Sequence, residues 1–303
     1  MRGDGIRNSD RTCGVTFDSR EHGSTGPARG SEFEDFMTYF RNKTAVVTGA
    51  SGGLGFALAR ALAEAGANVV LAARTSDTLH AAAAKLAGLP GRALPVVCDV
   101  TRDAEVDELI RRSVAEFGRL DLLVNNVGLS VRKKILDTTP DDFRRLLELN
   151  LLATVRCTRA AAPHLIAARG HLVNIGSLAG KSASRWLGAY PASKFAVTAY
   201  TQQLRLELGP EGLHVLLVCP GPIARDDDRV RSPDELAQLP EAARRPGGGV
   251  KTGRIRPESL AKRILDACER RRGELIVPWS ARIIFTLMQT SPTLADWLVR
   301  RLT

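Results

Sequence analysis

The chain has 303 residues, 44% hydrophobic and 25% charged, with a formal net charge of +10. That balance fits a globular protein with a sizeable core, and no apolar run approaches the roughly 20 residues of a membrane-spanning helix. The first thirty residues carry no apolar stretch behind their basic residues, so no secretory signal is expected.

The charge is unevenly spread. From Glu241 to Thr303 there are 13 Lys and Arg against 6 Asp and Glu, whereas the first forty residues are slightly acidic. Few aromatics accompany the basic excess and no nucleic-acid module is recognisable. A solvated basic face or a contact with an acidic surface is therefore expected, and nucleic-acid binding is not. The five cysteines (Cys13, Cys98, Cys157, Cys219, Cys268) form no CxxC pair. The five histidines (His22, His80, His164, His171, His214) form no clustered ligand motif. Reduced thiols in a cytoplasmic compartment and no dedicated metal site are the expectation.

In chain order, residues 1–38 lack periodicity and are rich in Gly, Ser, Arg and Asp, as in a disordered tail. TAVVT (44–48) predicts a strand. LGFALARALAEAG (54–66) predicts a helix ending on Gly66. NVVLAA (68–73) is a second strand, followed by an alanine-rich helix that starts at capping residues near Thr75. ALPVVC (93–98) is a third strand. TRDAEVDELIRRSVAEFG has Thr101 as N-cap and acids early, as the helix dipole favours. LDLLVNN (120–126) is the fourth strand, and 140–169 reads as one long helix. HLVNIGS (171–177), a helix over 190–208 and HVLLVC (214–219) continue the alternation. PESLAKRILDACERR (257–271) is a helix with an early Pro, and GELIVPW (273–279) a seventh strand. Repeated β-α-β units predict an α/β fold, a doubly wound parallel sheet with helices on both faces. Strands apolar at consecutive positions fit burial on both sides.

The chemistry-bearing motifs fall at strand C-terminal ends or on the next helix, where such sheets bind ligands. TGASGGLG (48–55) joins the first strand to the first helix. Gly49, Gly53 and Gly55 allow a tight turn and a close approach of backbone to a pyrophosphate, with Ser51 and Leu54 in the same loop. The second strand ends in Arg74 and has no acid there. An arginine can pair with a 2′-phosphate, so NADP(H) is preferred and NAD(H) is the alternative. Asp99 and Val100 close the third strand, and Asn126 and Gly128 follow the fourth, positions that would border a cofactor. Ser177 ends the fifth strand, and YPASK (190–194) opens the next helix. Tyr190 and Lys194 are four apart and share a helix face. A nearby ammonium favours the phenolate of a tyrosine, which otherwise titrates near 10. Tyr190 can then exchange a proton with a carbonyl oxygen that Ser177 holds, and Asn150 can hold a water linked to Lys194.

With these motifs in this order and spacing, and with CPGPI (219–223) after the sixth strand, residues 40–278 resemble the short-chain dehydrogenase/reductase family. The resemblance implies a single Rossmann-type domain of about seven strands over 39–278 and an NAD(P) cofactor. It also implies a catalytic tetrad at Asn150, Ser177, Tyr190 and Lys194, with Pro220, Gly221 and Ile223 beside the cofactor. The family commonly has Thr where Arg225 stands, and Val127 replaces a usual Ala. In the family the segment at 225–250 is a substrate lid. Homodimers or homotetramers through the helices at 140–169 and 190–208 are usual.

Residues 279–303 contain two short amphipathic segments, SARIIFTLMQT and SPTLADWLVRRL. They pack on the domain or a partner, or touch a membrane surface peripherally. This ending resembles a hydroxysteroid- and retinoid-type reductase subgroup, which implies a lipophilic carbonyl or alcohol substrate and membrane association. The expected activity is NADP(H)-dependent carbonyl–alcohol oxidoreduction. An epimerase or dehydratase on the same scaffold and a non-catalytic nucleotide-binding module are the alternatives.

Overall fold

The structure, a computed structural model, describes residues 38–224 and 253–291, with isolated positions up to 301. The N-terminal tail, Arg225 with the lid that follows it, and most of the second C-terminal amphipathic segment lie outside the described residues.

Seven parallel strands form one sheet: β1 (Thr44–Thr48), β2 (Asn68–Ala73), β3 (Ala93–Val97), β4 (Leu122–Asn125), β5 (His171–Ile175), β6 (His214–Pro220) and β7 (Glu274–Val277). Their order is β3-β2-β1-β4-β5-β6-β7. The helices between them are α1 (Gly53–Glu64), α2 (Ser76–Ala84), α3 (Asp103–Phe117), α4 (Pro140–Leu147), α5 (Ala153–Ala167), α6 (Tyr190–Leu208), α7 (Pro257–Glu269) and, after β7, α8 (Ser280–Thr290).

The consecutive apolar residues of each strand divide between two core layers, because neighbouring side chains point to opposite faces. Val47, Leu71, Val124, Val173 and Leu216 join one layer with α1 and α7. Val46, Val70, Leu123, Leu172 and Val215 join the other with α3 and α5. Each fully buried aliphatic side chain contributes about 1.5–3 kcal/mol, so a sheet covered on both sides draws that gain from both faces of its inner strands.

Strand ends shift by one or two residues from the sequence reading, and two helices depart from it while the end of α1 bears it out. The helix α3 is capped by Arg102 rather than Thr101. Thr101 instead donates through its backbone N–H and its hydroxyl to Asp99 Oδ1, at 3.0 and 2.8 Å, which ties it to the end of β3. The helix α1 ends at Glu64 with Ala65 as C-cap, and Gly66 just past it takes φ +77, the left-handed terminating glycine that the sequence reading placed there. The long helix at 140–169 is interrupted by a π-helical turn at Glu148–Leu152. Asn150 lies at its centre, and its side chain bonds across to Leu129 and Ser193. Such widened turns occur mostly as single insertions within α-helices.

Two scattered histidines meet under the N-terminal ends of the strands. The His214 Nε2–H donates to the Arg272 carbonyl at 2.8 Å, which leaves Nδ1 to accept from His171 Nδ1–H at 2.8 Å. The Tyr39 hydroxyl then donates to His171 Nε2 at 2.7 Å. Cys268 lies nearby, with its sulfur and the ring nitrogens within 4.8 Å of one another. Every ring nitrogen is already engaged, and burial pushes the Cys268 thiol strongly up, so the cluster is a neutral hydrogen-bonded chain rather than a ready cation site. Burial, then His214, Lys43 and Arg271, push His171 down to about 3.

The unfolded chain therefore binds a proton at His171 near pH 6.5, well before the folded one does. This contribution to stability is whole above about pH 6.5 and is lost as pH falls toward about 3. Thermal or denaturant unfolding is expected to show a loss of about 2 kcal/mol at pH 5 from this residue. The pH profile should flatten in His171→Gln, and an unchanged slope would contradict the account.

Candidate active site

Strand order reverses between β1 and β4, and the crevice at their C-terminal ends is where a doubly wound sheet accepts a ligand. The two strand ends are bound together there. The Thr48 hydroxyl donates to the Val124 carbonyl at 3.2 Å and accepts from Asn126 N at 2.9 Å. The Asn126 side chain donates to the Thr48 carbonyl at 2.9 Å. Asn126 thus braces the glycine loop.

That loop needs its glycines for two separate reasons. Gly49 and Gly53 adopt φ +65 and +54. At Gly55 a Cβ would lie 2.2 Å from the Gly49 carbonyl oxygen. Gly52, the N-cap of α1, has extended backbone, offers no side-chain cap and has open space where a Cβ would point. Phe56 makes the first backbone bond of the helix, to Gly52, and no acid occupies its first turn. The N–H groups of Gly53, Leu54 and Gly55 precede that bond at the positive end of the helix. This cradle fits a pyrophosphate. The Leu54 side chain is 7% exposed and belongs to the core, so its contribution to the cradle is its backbone. Ser51 is half-buried at the rim.

Arg74 is exposed just past β2. Asp99 follows β3 and is near enough to feel its charge. Partial burial opposes Asp99 ionisation, but the two Thr101 hydrogen bonds, Arg74 and Arg102 outweigh it, and its carboxyl is held below the usual range. Val100 is 4% exposed and packs into the second core layer. At the far side, Pro220 pairs with Val277, and Gly221 N donates to the Val277 carbonyl at 2.8 Å. Ile223 forms a bridge with Ile255.

Lys194, one turn into α6, is 4% exposed, and its Nζ donates to the Ile175 carbonyl at 2.7 Å. Burial pushes its ammonium down to about 8, against a small opposing influence of Cys219. A Cβ on Gly128 would lie 3.2 Å from Asn150 Oδ1 and 3.4 Å from Lys194 Nζ, so the three residues converge from β4, the π turn and α6. Asn150 Oδ1 accepts from Leu129 N at 2.7 Å, and its Nδ2 donates to the Leu129 carbonyl at 3.0 Å and to Ser193 Oγ at 2.9 Å. Ser193 Oγ in turn donates to the Tyr190 carbonyl at 2.8 Å. Ser177 Oγ accepts from Ala179 N at 3.1 Å, which leaves its own proton free to donate. Tyr190 is half-buried at the start of α6.

The short chain dehydrogenase family matches residues 43–235. The chain belongs to that family. An uncharacterized oxidoreductase of Staphylococcus aureus (strain MRSA252) is 39% identical over 186 residues, 61% of this chain and 80% of the relative. A ketoacyl reductase, HetN, of Nostoc sp. (strain PCC 7120) is 30% identical over 271 residues, 87% of this chain and 90% of the relative. Among solved structures, a short-chain dehydrogenase/reductase of Burkholderia phymatum in complex with NAD aligns with TM-score 0.72 at 25% identity, covering 84% of this chain and 95% of that one. An alcohol dehydrogenase of Thermococcus sibiricus complexed with 5-hydroxy-NADP aligns with TM-score 0.65 at 25% identity, covering 78% and 95%. This short-chain dehydrogenase is therefore an oxidoreductase with a nucleotide-binding Rossmann fold.

The sequence reading passed over two positioning residues of this short-chain dehydrogenase. Thr48 stands inside the quoted glycine motif and Ser193 inside YPASK. Their motif context pointed to them, but their partners are 78 and 43 residues away. In Gly55→Ala the new methyl meets backbone, so affinity for a dinucleotide is expected to fall at least about tenfold in a fluorescence titration. Lys194→Met tests the burial of the ammonium. The folded pKa lies below the unfolded 10.5, so the charge costs stability below about pH 8 and the cost disappears as pH rises toward 10.5. At pH 7 that cost is roughly 3 kcal/mol, partly offset by about 1 kcal/mol from the Ile175 bond. The variant is expected to unfold at the same or a higher temperature than wild type.

Proposed function

We propose that this short-chain dehydrogenase is an NADP(H)-dependent enzyme that transfers hydride between nicotinamide and the carbonyl carbon of an apolar ketone or aldehyde, or the corresponding alcohol. The observation that carries this reading is the buried Lys194 ammonium, converging with Asn150 over Gly128, one helical turn from Tyr190. Bound NADP(H) would lie along the glycine cradle and supply or accept the hydride. The Tyr190 hydroxyl gives a proton to the substrate oxygen in reduction and takes one in oxidation. The free proton of Ser177 Oγ holds that same oxygen. Lys194 spends one of its three N–H donors on Ile175, leaving two for the ribose and for proton relay. Its charge favours the Tyr190 phenolate. The side chain of Asn150 is committed to Leu129 and Ser193, so its main-chain carbonyl in the π turn is the atom left for a relay water, beside a bond from Thr154 Oγ1 at 3.0 Å.

The preference for NADP(H) is supported by the exposed Arg74 at a strand end without an acid. The apolar substrate is supported by the segment after β4. There Leu129, Ile135 and Leu136 are exposed at 36%, 64% and 95%. Lys133 N donates to the Trp186 carbonyl at 3.0 Å and Gly188 N donates to the Lys133 carbonyl at 3.1 Å, which ties this apolar segment to the residues just before Tyr190. Assembly as a homodimer or homotetramer through α4–α5 and α6 is part of the same reading, supported by the exposed Leu152 and Phe195 on those elements. So is a cytoplasmic setting, supported by the free, buried thiols of Cys98, Cys157, Cys219 and Cys268.

NADPH consumption over a panel of apolar ketones and aldehydes is the direct test. Turnover is expected for wild type and a loss of at least about a hundredfold for Tyr190→Phe. Equal rates in both would sink the proton-transfer role, and products formed without net cofactor turnover would mark an epimerase or dehydratase. Arg74→Ala is expected to lower kcat/KM for NADPH about tenfold while sparing NADH, as loss of a charge-assisted contact should. Gly52→Arg, at a position with open space, should shift the preference further toward NADPH.

A further inference from the structure

The backbone just before Tyr190 is held in an unusual shape. Trp186 adopts φ +59, a left-handed conformation that a bulky side chain rarely takes, and Gly188 follows at φ +51. The loop after β4 holds them there, through the bonds from Lys133 N to the Trp186 carbonyl and from Gly188 N to the Lys133 carbonyl. A Cβ on Gly188 would lie 3.1 Å from Thr138 Oγ1 and 3.3 Å from Lys133 Cβ, so the two loops are in contact. The Lys133 ammonium donates to Asp142 Oδ2 at 2.6 Å, and the same oxygen accepts from Thr139 N at 2.9 Å, which braces both loops on α4. Backbone strain fixed in this way clusters at ligand clamps and active sites.

These loops lie beyond the C-terminal ends of β4 and β5, where the crevice opens. They present two kinds of group. Leu129, Ile135 and Leu136 are exposed and apolar, and Trp186 is half-buried. Lys134 and Arg185, each next to a residue of the Lys133–Trp186 bond, are exposed and cationic. The Arg185 guanidinium lies over the Trp186 ring, 4.4 Å from its centroid, so the strained tryptophan sets the position of the charge. Neighbouring cations are neutralised, Lys133 by Asp142 and Lys181 by Glu274. Among the described residues, neither Lys134 nor Arg185 has a carboxylate within ion-pair distance, and Asp137 on the same loop pairs with neither. The glycine cradle opens from β1, two strands away from β5. An uncharged ligand covering this rim would strip water from two cations and return nothing to them.

We propose that Arg185, with Lys134 beside it, determines specificity by seating a carboxylate at the far end of the substrate. The substrate class is then an amphiphilic carbonyl compound or alcohol, with an apolar body along Leu129, Ile135 and Trp186 and an anionic end on the guanidinium. A guanidinium stacked on an aromatic face keeps its N–H edges for a bidentate carboxylate. The inference rests on the carbonyl–alcohol chemistry proposed above.

The test compares a medium-chain ketone with the same ketone ending in a carboxylate, using NADPH. Wild type is expected to favour the acid by about tenfold or more in kcat/KM, and the preference should shrink with added salt. In Arg185→Gln the ratio should fall to near one through KM for the acid, with the melting temperature kept, and Arg185→Lys should restore part of it. Equal use of both ketones by wild type overturns the proposal, as does a ratio that survives Arg185→Gln. A rise in KM for NADPH as large as that for the acid overturns it in favour of cofactor steering. If neither ketone is turned over, the carbonyl chemistry fails, and the seat is judged by calorimetry of a medium-chain alkanoate and the matching alkanol with NADP+ present. The alkanoate should bind wild type about tenfold more tightly than Arg185→Gln. Equal alkanoate binding by the two proteins overturns the seat itself.

Discussion

A lysine ammonium is buried at the centre of this domain, and much of the surrounding structure serves to hold it there. Lys194 is 4% exposed and has one backbone acceptor, the Ile175 carbonyl at the end of β5. A charge so placed costs folding free energy, and its ammonium has been driven down to about 8. Three unrelated chain segments nevertheless converge on it. Gly128 leaves room by having no side chain, the π turn brings Asn150 across from the neighbouring helix layer, and Ser193 links Asn150 to the first turn of α6. A purely structural core would fill this space with aliphatic groups at lower cost. Retaining the charge makes sense where a proton and an anionic cofactor have to be managed, which is the use proposed for it.

The sheet explains why these groups can meet. The inner strands β1, β4, β5 and β6 are buried on both faces, so polar groups cannot project from their middles without a partner. Only the C-terminal ends and the helix starts that follow are free to carry chemistry. The order reversal between β1 and β4 opens the crevice, and the Thr48–Asn126 bonds keep its two lips in register. The glycine cradle depends on the same close approach, since a methyl at Gly55 would collide with the Gly49 carbonyl. The β7 edge faces a different problem. Among the described residues no strand lies beyond it, and α8 and several arginines lie at that edge instead.

Much of this was legible in the sequence because it is local. Seven apolar runs at β-α-β spacing became seven parallel strands, since two-sided burial leaves a continuous apolar, β-branched signature. The glycine motif and YPASK could be placed on a strand-to-helix turn and on a helix start for the same reason. What stayed hidden was decided by partners distant in the chain. Thr101 reads as an N-cap, but it is tied back to Asp99 and the helix starts one residue later. Residues 140–169 read as one helix until Asn150 is drawn out to Leu129 and Ser193 and the turn widens into a π helix. His171, His214 and Cys268 look scattered, yet parallel pairing of β5 with β6 and the packing of α7 bring them together.

The sequence by itself determined the alternation of strands and helices, the two-layer core, and the residue types at each strand end, because periodicity and turn chemistry act over a few residues. The tertiary structure alone decided which of those residues touch. It chose Asn126 as a brace, gave Lys194 its buried setting, closed the Tyr39–His171–His214 chain, and set the loop after β4 against the residues before Tyr190. Those outcomes depend on burial and on contacts across tens of residues, and one-dimensional spacing carries no record of either.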